Sequence, residues 1–318
     1  MKTKISILLV LFIFSMVAIS CSDDDDVDKQ HGEVNVKVTD APSDDTNIQG
    51  TFVTISEVKV DGQAVEGFTA QTIEISAYQN GNAKLLVSET LEADTYSSVS
   101  LVLDYQTDAD GNSPGCYVLT DDDSKHALEA ATSSTTEVTF NKSFDVEANG
   151  MTDLVIDFDL RKAIVRDEDG GDSEYKFVTS AEITNSLRIV QEDDCGEING
   201  QINNHAEAEG SLVIFAYEKG SFNAETETQG QGASQVLFAN AETSAKVAND
   251  GSYKLSFLEE GDYEVHVASY EEDANGQVTF TGLIEASSSI SGLLLNDITV
   301  EANSQVNLDI DISALVNL

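Results

Sequence analysis

Apolar and polar residues alternate along most of the chain, which is the pattern of half-buried β-strands. Val34, Val36 and Val38 fall on one face of an extended strand. Residues 51–60 alternate as well, but the phase changes between Ile55 and Val58, which predicts a β-bulge. Further strands are predicted over residues 72–76, 98–104, 136–144, 153–159, 196–202, 211–217, 252–257, 262–268, 277–282 and 305–310.

Short polar clusters rich in glycine, aspartate and asparagine separate these strands and predict turns, as in YQNGN (78–82) and ANDGS (248–252). Residues 211–217, SLVIFAY, are apolar on both faces, so we expect this strand to lie inside its sheet. Helical signals are sparse: DLRKAIVR (159–166) predicts a helix of two turns, and the terminal SALVNL (313–318) is ambiguous. Many short strands with polar turns predict an all-β protein built from β-sandwiches.

One pattern occurs twice. LEADTYSSVSLVL (91–103) and LEEGDYEVHVASY (258–270) both run from Leu-Glu through three turn residues to a tyrosine and an alternating strand. A tyrosine at this place can pack its ring on the sandwich while its hydroxyl reaches the backbone. The repeat predicts two β-sandwich domains in tandem, over residues 33–192 and 195–318, with the boundary near residues 192–196.

The N-terminus has the pattern of a secretory signal. Lys2 and Lys4 precede an apolar run over residues 5–19. At about 1.5 Å per residue, this run is too short for the roughly 30 Å hydrocarbon core of a bilayer. Cys21 follows small residues and resembles the acylated cysteine of bacterial lipoproteins. Residues 1–20 are therefore predicted to be a signal peptide and Cys21 to be lipidated; the alternative is ordinary cleavage that leaves a free cysteine.

Four aspartates, residues 23–26, follow the cysteine, and Asp28 comes shortly after them. Residues 21–32 cannot bury enough apolar area to offset chain entropy and are predicted to form a lipidated acidic tether. The acidic run also resembles the surface-export signal of some Gram-negative outer-membrane lipoproteins; the alternative is a plain solvated spacer. The expected location is the outer membrane, reached through the lipid anchor, with the folded part facing the cell surface.

The chain is strongly acidic. Its formal net charge is −42, and removal of residues 1–20, which hold two lysines and no acids, would make it −44. The phosphates of a nucleic acid or of an anionic membrane surface would be repelled, so neither is an expected partner of the folded part. Hydrophobic residues make up 41% of the chain, which is enough for packed cores and excludes a disordered acidic protein.

Beyond Cys21 the chain has two cysteines, Cys116 and Cys195. An exported protein can oxidise such a pair, so a Cys116–Cys195 disulfide is predicted, with two free buried thiols as the alternative. The spacing is not C-x-x-C and gives little support to a zinc or redox site.

No catalytic site is apparent. GNSPG (111–115) fits the pattern G-x-S-x-G, but the residue after the serine is Pro114, which lacks the backbone N–H that an oxyanion hole needs there. The four histidines, His31, His126, His205 and His266, lie at least 60 residues apart and show no local metal-binding spacing. The protein is therefore predicted not to be an enzyme.

Two acidic loops could hold a calcium ion, since each concentrates oxygen ligands next to glycine. The loops carry Asp108, Asp110 and Asn112 in TDADGN, and Asp167, Asp169 and Asp172 in DEDGGD. The first loop begins like an EF-hand but has Gln106 and Tyr117 at its first and last ligand positions. Solvated turns are the alternative for both loops, and no other cofactor is predicted.

Two further aspartates have structural explanations. Asp40 precedes Ala41-Pro42 and is predicted to cap the turn that ends the first strand. Asp159 is predicted to cap the short helix that follows it. Alternation in residues 153–159 places Phe158 inward and Asp157 and Asp159 outward.

Four blocks resemble a bacterial lipoprotein family known as domain of unknown function 4382: VTDAPSDD (38–45), GTFVTISEVKVDG (50–62), LEADTYSSVSLVLD (91–104) and DLVIDFDLRKAI (153–164). The resemblance extends from residue 33 to about residue 190. The second half, with GEINGQI (196–202), resembles prealbumin-like or carboxypeptidase-regulatory-like modules of the carbohydrate-binding-like fold. Neither resemblance implies a catalytic residue.

Two functions remain open at this point. The first is a non-enzymatic cell-surface lipoprotein that binds a glycan or a surface protein as an accessory module; the second is a structural cell-envelope lipoprotein with no small-molecule ligand. The chain has no tryptophan, the strongest stacking surface for sugars, but it has nine tyrosines and thirteen phenylalanines. An exposed row of tyrosines would favour the first function, and its absence would favour the second.

Overall fold

The computed structural model describes residues 30–45, 47–128, 134–167, 174–272 and 278–316. The predicted signal peptide, Cys21 and most of the acidic tether lie outside the described residues, and these assignments stay predictions. Within the described ranges, no helix has the length and apolar character needed to cross a membrane.

The first half of the described chain, residues 31–191, forms one β-sandwich, here called the N-terminal sandwich. Its strands are β1 His31–Ala41, β2 Ile48–Val60, β3 Gln63–Ala64, β4 Gln71–Glu74, β5 Lys84–Glu92, β6 Thr95–Tyr96, β7 Val99–Asp104, β8 Tyr117–Thr120, β9 Lys125–Ala127, β10 Thr135–Phe140, β11 Phe144–Asp145, β12 Met151–Asp159, β13 Ile164–Arg166, β14 Tyr175–Phe177 and β15 Leu187–Gln191. Its helices are α1 Leu160–Ala163 and α2 Ser180–Ser186.

Two sheets face each other in this sandwich. One has the order β15-β12-β1-β5, with β1 and β12 parallel, and the other has the order β10-β7-β2-β8-β9, with β3 and β4 paired to β2. The valines of β1 and the inward residues of β2 and β7 pack into a single core, because alternation points these side chains into the space between the two sheets. The predicted bulge is confirmed, since the β2–β7 register shifts between Ile55 and Glu57.

Residues 195–316 form the second unit, here called the C-terminal sandwich. Its strands are β16 Cys195–Gln201, β17 Ser211–Glu218, β18 Thr243–Lys246, β19 Ser252–Glu259, β20 Gly261–Glu272, β21 Val278–Ser288, β22 Ile298–Val300, β23 Gln305–Asn307 and β24 Ile310–Val316, with one helix, α3 Ala224–Glu227. A sheet ordered β19-β16-β23 packs on a sheet ordered β18-β17-β20-β21-β24, with β22 paired to β20.

The all-β fold class predicted from the pattern is confirmed. Strand β17 lies between β18 and β20, and its residues 212–217 are all buried, as their apolar character predicted. The repeated tyrosines are equivalent in the two sandwiches: Tyr96 donates to Glu92 O at 3.1 Å, and Tyr263 donates to Glu259 O at 2.8 Å. A short 3₁₀ turn, Glu192–Asp194, separates the two units along the chain. Among the described residues, no sheet combines strands that precede this turn with strands that follow it.

The helices differ from the sequence-based expectation. Helix α1 has one turn instead of two, because Ile164 pairs with Phe177 and continues the chain as strand β13. Helix α2 was not predicted, although it begins with a capping box in which Thr179 N donates to Glu182 Oε2 at 3.1 Å. The ambiguous chain end pairs with β21 as strand β24.

The predicted disulfide is wrong, because Cys116 and Cys195 are both free and buried in different places. The thiol of Cys116 lies in the core of the N-terminal sandwich and donates to Asp104 O at 3.2 Å. The thiol of Cys195 lies in a separate small cluster with Val155 and Val190 and contacts Gln191 O at 3.3 Å.

Candidate functional site

Three cationic side chains of the N-terminal sandwich donate hydrogen bonds to backbone carbonyls of the C-terminal sandwich, namely Arg161 and Lys162 of α1 and Arg188 of β15. Arg161 donates to Leu237 O and, at 3.1 Å, to Phe238 O. Lys162 Nζ donates to Ala241 O at 2.7 Å. Arg188 donates to Phe257 O at 2.6 Å and to Ser256 O at 3.3 Å. We call these three residues the cationic clamp.

Two aspartates at the end of β12 hold the clamp in place. Asp159 forms ion pairs with Arg161 at 2.9 Å and with Lys162 at 3.2 Å, and Asp157 pairs with Arg188 at 2.8 Å. Both carboxylates point away from the core of the N-terminal sandwich, as alternation predicted. They are nevertheless only 3% and 4% exposed, because the C-terminal sandwich covers this face.

Asp159 has a second role. It is the N-cap residue of α1, and its Oδ1 accepts from Lys162 N at 3.2 Å. Asp40 was predicted to cap the turn after the first strand, but its hydrogen bond is made to a different part of the chain. It lies inside β1, is 5% exposed, and its Oδ2 accepts from Gln79 Nε2 at 2.8 Å.

The charged groups at the clamp change one another's pKa values. Burial alone would lower the pKa of Arg161, but the charge of Asp159 and of other nearby groups outweighs it and raises that pKa. Burial raises the pKa of Asp157, and the neighbouring Asp159 adds to this, while Arg188 opposes it. Arg161 therefore stays charged, and its buried charge is balanced by the carboxylate of Asp159.

The carbonyls bound by Arg161 and Lys162 belong to the long connection between β17 and β18, residues 219–242. This 219–242 connection is organised around Glu227, which is 1% exposed. Its carboxylate accepts from Tyr217 Oη at 3.0 Å, from Asn240 N at 3.2 Å and Asn240 Nδ2 at 2.5 Å, and from Gln231 Nε2 at 3.2 Å. A buried carboxylate with this many donors fixes the loop around it.

The same connection is also bound to helix α2. Ser234 donates to the Glu182 carboxylate from its backbone N–H at 3.0 Å and from its hydroxyl at 2.7 Å. Burial would raise the pKa of Glu182, but hydrogen bonds from Thr179 and Ser234 outweigh it and lower the pKa to about 2. Two separate sets of contacts, from Arg161 and Lys162 and from Glu182, thus hold the 219–242 connection on the N-terminal sandwich.

A cleft of about 840 Å³ opens beside these contacts, between α2 and the 219–242 connection. Its described lining contains no aromatic side chain. Amide and carboxyl groups line it together with a few apolar side chains: Asn185, Gln231, Asn240, Glu182, Glu218, Glu242, Leu187 and Val236. A second cleft of about 570 Å³ shares Arg188, Glu218 and Glu242 with it. A polar small molecule could make several hydrogen bonds there.

The surface of the described residues carries no exposed aromatic side chain. All nine tyrosines are described; Tyr78 and Tyr96 are half-buried and the others are buried. The exposed large hydrophobic residues of the described chain are Leu85, Met151 and Leu294, none of which is aromatic. A row of tyrosines for stacking on sugars is therefore absent from the described surface.

The first acidic loop binds its own backbone. Asp108 Oδ1 accepts from Asp110 N at 3.0 Å and from Asn112 N at 2.7 Å, and the bonds from Asn112 lower the pKa of Asp108. These are the contacts of a solvent-facing turn.

In the second loop, Asp167 pairs with Lys176 at 2.7 Å, and Asp169 and Asp172 lie outside the described residues. Within the described ranges, no group of three or more His, Cys, Asp and Glu side chains is placed to hold a metal.

The two thiols are expected to be unreactive in the folded protein. Burial raises the pKa of both Cys116 and Cys195 to about 12, so the thiolate is scarce at neutral pH. We expect no modification of either residue by a thiol-specific reagent at pH 8, and modification of both in denaturant without any reductant. A modified thiol in the native protein, or the need for a reductant before both react, would contradict this expectation.

Residues 31–178 match the family described as Domain of unknown function (DUF4382). The resemblance predicted for the N-terminal sandwich is thereby confirmed. The DUF4382 match includes β1, β12 and α1, and therefore Asp157, Asp159, Arg161 and Lys162 of the junction. No curated protein matches the chain in sequence.

Several solved structures are distantly similar. The TIE protein of Bacillus anthracis is 12% identical over 89% of this chain, with a TM-score of 0.18, and the chain spans 34% of its length. BcpA, the major pilin subunit of Bacillus cereus, is 11% identical over 89% of this chain and 70% of its own, with a TM-score of 0.21. A single B repeat unit of the collagen-binding surface protein of Staphylococcus aureus is 7% identical over 91% of this chain and all of its own, with a TM-score of 0.17. These scores are too low for the similarities to indicate what this protein does.

Proposed function

We propose that the protein is a non-enzymatic surface lipoprotein with a structural role in the cell envelope, in which the two sandwiches act as one rigid body on a lipid tether. The observation that carries this proposal is the cationic clamp. Its three cations are buried or partly buried at the junction, and their hydrogen bonds end on carbonyls of the other sandwich. Separating the sandwiches would break these hydrogen bonds and leave the donor groups without their carbonyl partners.

The surface supports the structural role over sugar binding. Sugar-binding sites commonly use an exposed aromatic face, and none is present on the described surface. The strong negative charge keeps such a body soluble and apart from anionic surfaces. A rigid acidic body on a tether suits a protein that spaces or contacts other envelope components.

Rigidity can be measured with spin labels on the two sandwiches. The exposed residues Thr90 in β5 and Ser211 in β17 can be replaced by cysteine and labelled in a soluble fragment that begins at His31, because Cys116 and Cys195 are buried. We expect one narrow distance distribution between the labels, unchanged by moderate salt. A broad distribution in the intact chain would show that the sandwiches move independently and would refute the rigid-body function. The same labels on a variant with Arg161 and Arg188 replaced by methionine provide the matched comparison.

The 840 Å³ cleft favours a second candidate, the binding of a polar ligand such as a glycan. A glycan array and a pull-down with the purified protein would test it. Asn185 is exposed at the cleft, so Asn185→Trp would fill the cleft without touching the clamp. If the wild-type protein binds a glycan and Asn185→Trp does not, the binding function is favoured. If both bind it, the ligand site lies outside this cleft.

The lipid anchor is a separate prediction. If Cys21 is acylated, the wild-type protein is expected to partition with membranes and to incorporate labelled palmitate. Cys21→Ser is expected to appear in the soluble fraction or to remain unprocessed. Wild-type protein that takes up no palmitate would rule the anchor out.

A further inference from the structure

Two phenylalanines at the junction have a backbone conformation that this residue type rarely adopts. Phe238 in the 219–242 connection has a φ of 50°, and Phe257 in β19 has a φ of 56°. In this left-handed region the Cβ atom crowds the backbone, so the region is used mainly by Gly, Asn and Asp. Nine non-glycine residues of the described chain are left-handed and six of them are Asn or Asp, which leaves Phe238, Phe257 and Gln235 as the exceptions.

These three exceptions lie at contacts with the N-terminal sandwich. The carbonyl of Phe238 accepts from Arg161 at 3.1 Å, and the carbonyl of Phe257 accepts from Arg188 at 2.6 Å. Gln235 directly follows the serine that binds the carboxylate of helix α2. The unfavourable backbone conformations of the C-terminal sandwich therefore coincide with the points at which the other sandwich binds it.

The left-handed residue of β19 belongs to a β-bulge. The β16–β19 register shifts there, so that Ser256 and Phe257 together oppose the single residue Glu197. A bulge that contains a left-handed residue normally has glycine at that position. In a regular strand consecutive carbonyls point to opposite sides, whereas the carbonyls of Ser256 and Phe257 both accept from Arg188, at 3.3 and 2.6 Å. The bulge thus lets one guanidinium bind two consecutive carbonyls.

The side chain of Phe257 also contacts the N-terminal sandwich. Its ring packs against a small buried cluster that includes Val155 of β12 and Val190 of β15. Arg188 is itself fixed by its ion pair with Asp157 at 2.8 Å. The carbonyl and the ring of Phe257 are therefore both bound from across the junction, and these contacts exist only while the two sandwiches are docked.

We propose that the junction is a strained contact, in which Arg188 and Arg161 hold Phe257 and Phe238 in left-handed conformations that both residues leave when the sandwiches separate. Backbone strain of this kind persists only where the surrounding contacts over-determine it. Docking is thereby coupled to the backbone of β19 and of the 219–242 connection. The junction opens in one step, because the loss of an arginine contact also releases the strain. The inference rests on the proposed rigid body and adds a mechanism for its release.

The test compares glycine and alanine at position 257 of the purified protein. Both substitutions remove the half-buried ring, and they differ only in the Cβ atom. Glycine is favoured in the left-handed region, whereas alanine is favoured over glycine in a regular strand. We expect Phe257→Gly to have the higher urea midpoint, with an unfolding equilibrium constant about two- to tenfold smaller than that of Phe257→Ala.

Phe257→Asn and Phe257→Thr provide a second comparison with larger side chains. Asparagine tolerates the left-handed region, whereas a β-branched residue does not. Threonine is the better residue in a regular strand. We therefore expect Phe257→Asn to have the higher urea midpoint, and a higher midpoint for Phe257→Thr would contradict a strained conformation at this position.

The role of the arginine is tested in the background Asp157→Asn/Arg188→Met, which removes the ion pair together and leaves no buried carboxylate without its cation. Without the guanidinium, position 257 is expected to return to an ordinary strand conformation, so alanine there becomes more stable than glycine. If glycine stays the more stable by the same factor, pairing within the C-terminal sandwich holds the bulge, and the proposal is overturned.

Phe280→Gly and Phe280→Ala are the matched control, since Phe280 is a half-buried phenylalanine of β21 that is not among the left-handed residues. Alanine is expected to be the more stable there in both backgrounds. A midpoint for Phe257→Gly no higher than that for Phe257→Ala would show that position 257 is not strained and would overturn the proposal. The spin-label distribution separates this result from a failure of the proposed function: it stays narrow if only the strain is absent, and it is broad if the sandwiches move independently.

Discussion

Arg161→Met is expected to lower the free energy of unfolding by about 3–5 kcal/mol, the range seen when one partner of a buried ion pair is removed. Arg161 is 5% exposed, and its loss leaves Asp159 with Lys162 as its remaining ionic partner. It also removes the donors to the carbonyls of Leu237 and Phe238. Methionine keeps most of the side-chain volume, so the change reports mainly the loss of charge and hydrogen bonds. Urea denaturation followed by circular dichroism gives the measurement.

Lys142→Met is the matched control, because Lys142 forms an ion pair with Glu259 across the same junction but in a partly exposed position. Surface ion pairs contribute about 0–1 kcal/mol, so this variant is expected to stay close to the wild type. The double variant Asp159→Asn/Arg161→Met is expected to lose less than the sum of the two single changes, since the pair is removed together. A loss for Arg161→Met no larger than that for Lys142→Met would show that the clamp does not hold the junction.

The strands and their local geometry are predictable from the sequence because alternation is a local property. Val34, Val36 and Val38 are buried on one face as predicted, and the phase change after Ile55 appears as a register shift. The repeated tyrosines make the same bond to the backbone four residues earlier. In each case the residues that carry the signal are neighbours in the chain, so a local pattern is sufficient.

The junction could not be predicted in this way. Asp157 and Asp159 alternate outward, and nothing near them in sequence shows that a unit more than 30 residues later covers them. The disulfide prediction failed for the same reason, since cysteine spacing gives no distance between two separate clusters. Helix α2 did leave a local signal in Thr179 and Glu182, three positions apart before a short helix, and this signal was missed.

Glu227→Ala is expected to cost about 1–3 kcal/mol, because the buried hydroxyl of Tyr217 would be left without an acceptor. The variant would leave the hydroxyl of Tyr217 and the amides of Asn240 and Gln231 without the carboxylate that they share. The 219–242 connection would lose its internal anchor, and with it the fixed position of the carbonyls that Arg161 and Lys162 bind. We therefore expect faster cleavage by thermolysin within this connection, together with a lower urea midpoint.

Glu225→Ala provides the comparison, since Glu225 lies in the same helix α3 but is exposed. It removes one negative charge from the same turn and is expected to change neither the urea midpoint nor the cleavage rate. The two variants separate the buried hydrogen-bond network from a general effect of charge. The alternative outcome is that Glu227→Ala and Glu225→Ala have the same urea midpoint and the same cleavage rate. The 219–242 connection would then be held by its contacts with Lys162, Arg161 and Glu182, and the hydrogen bonds of Glu227 would not contribute to its position.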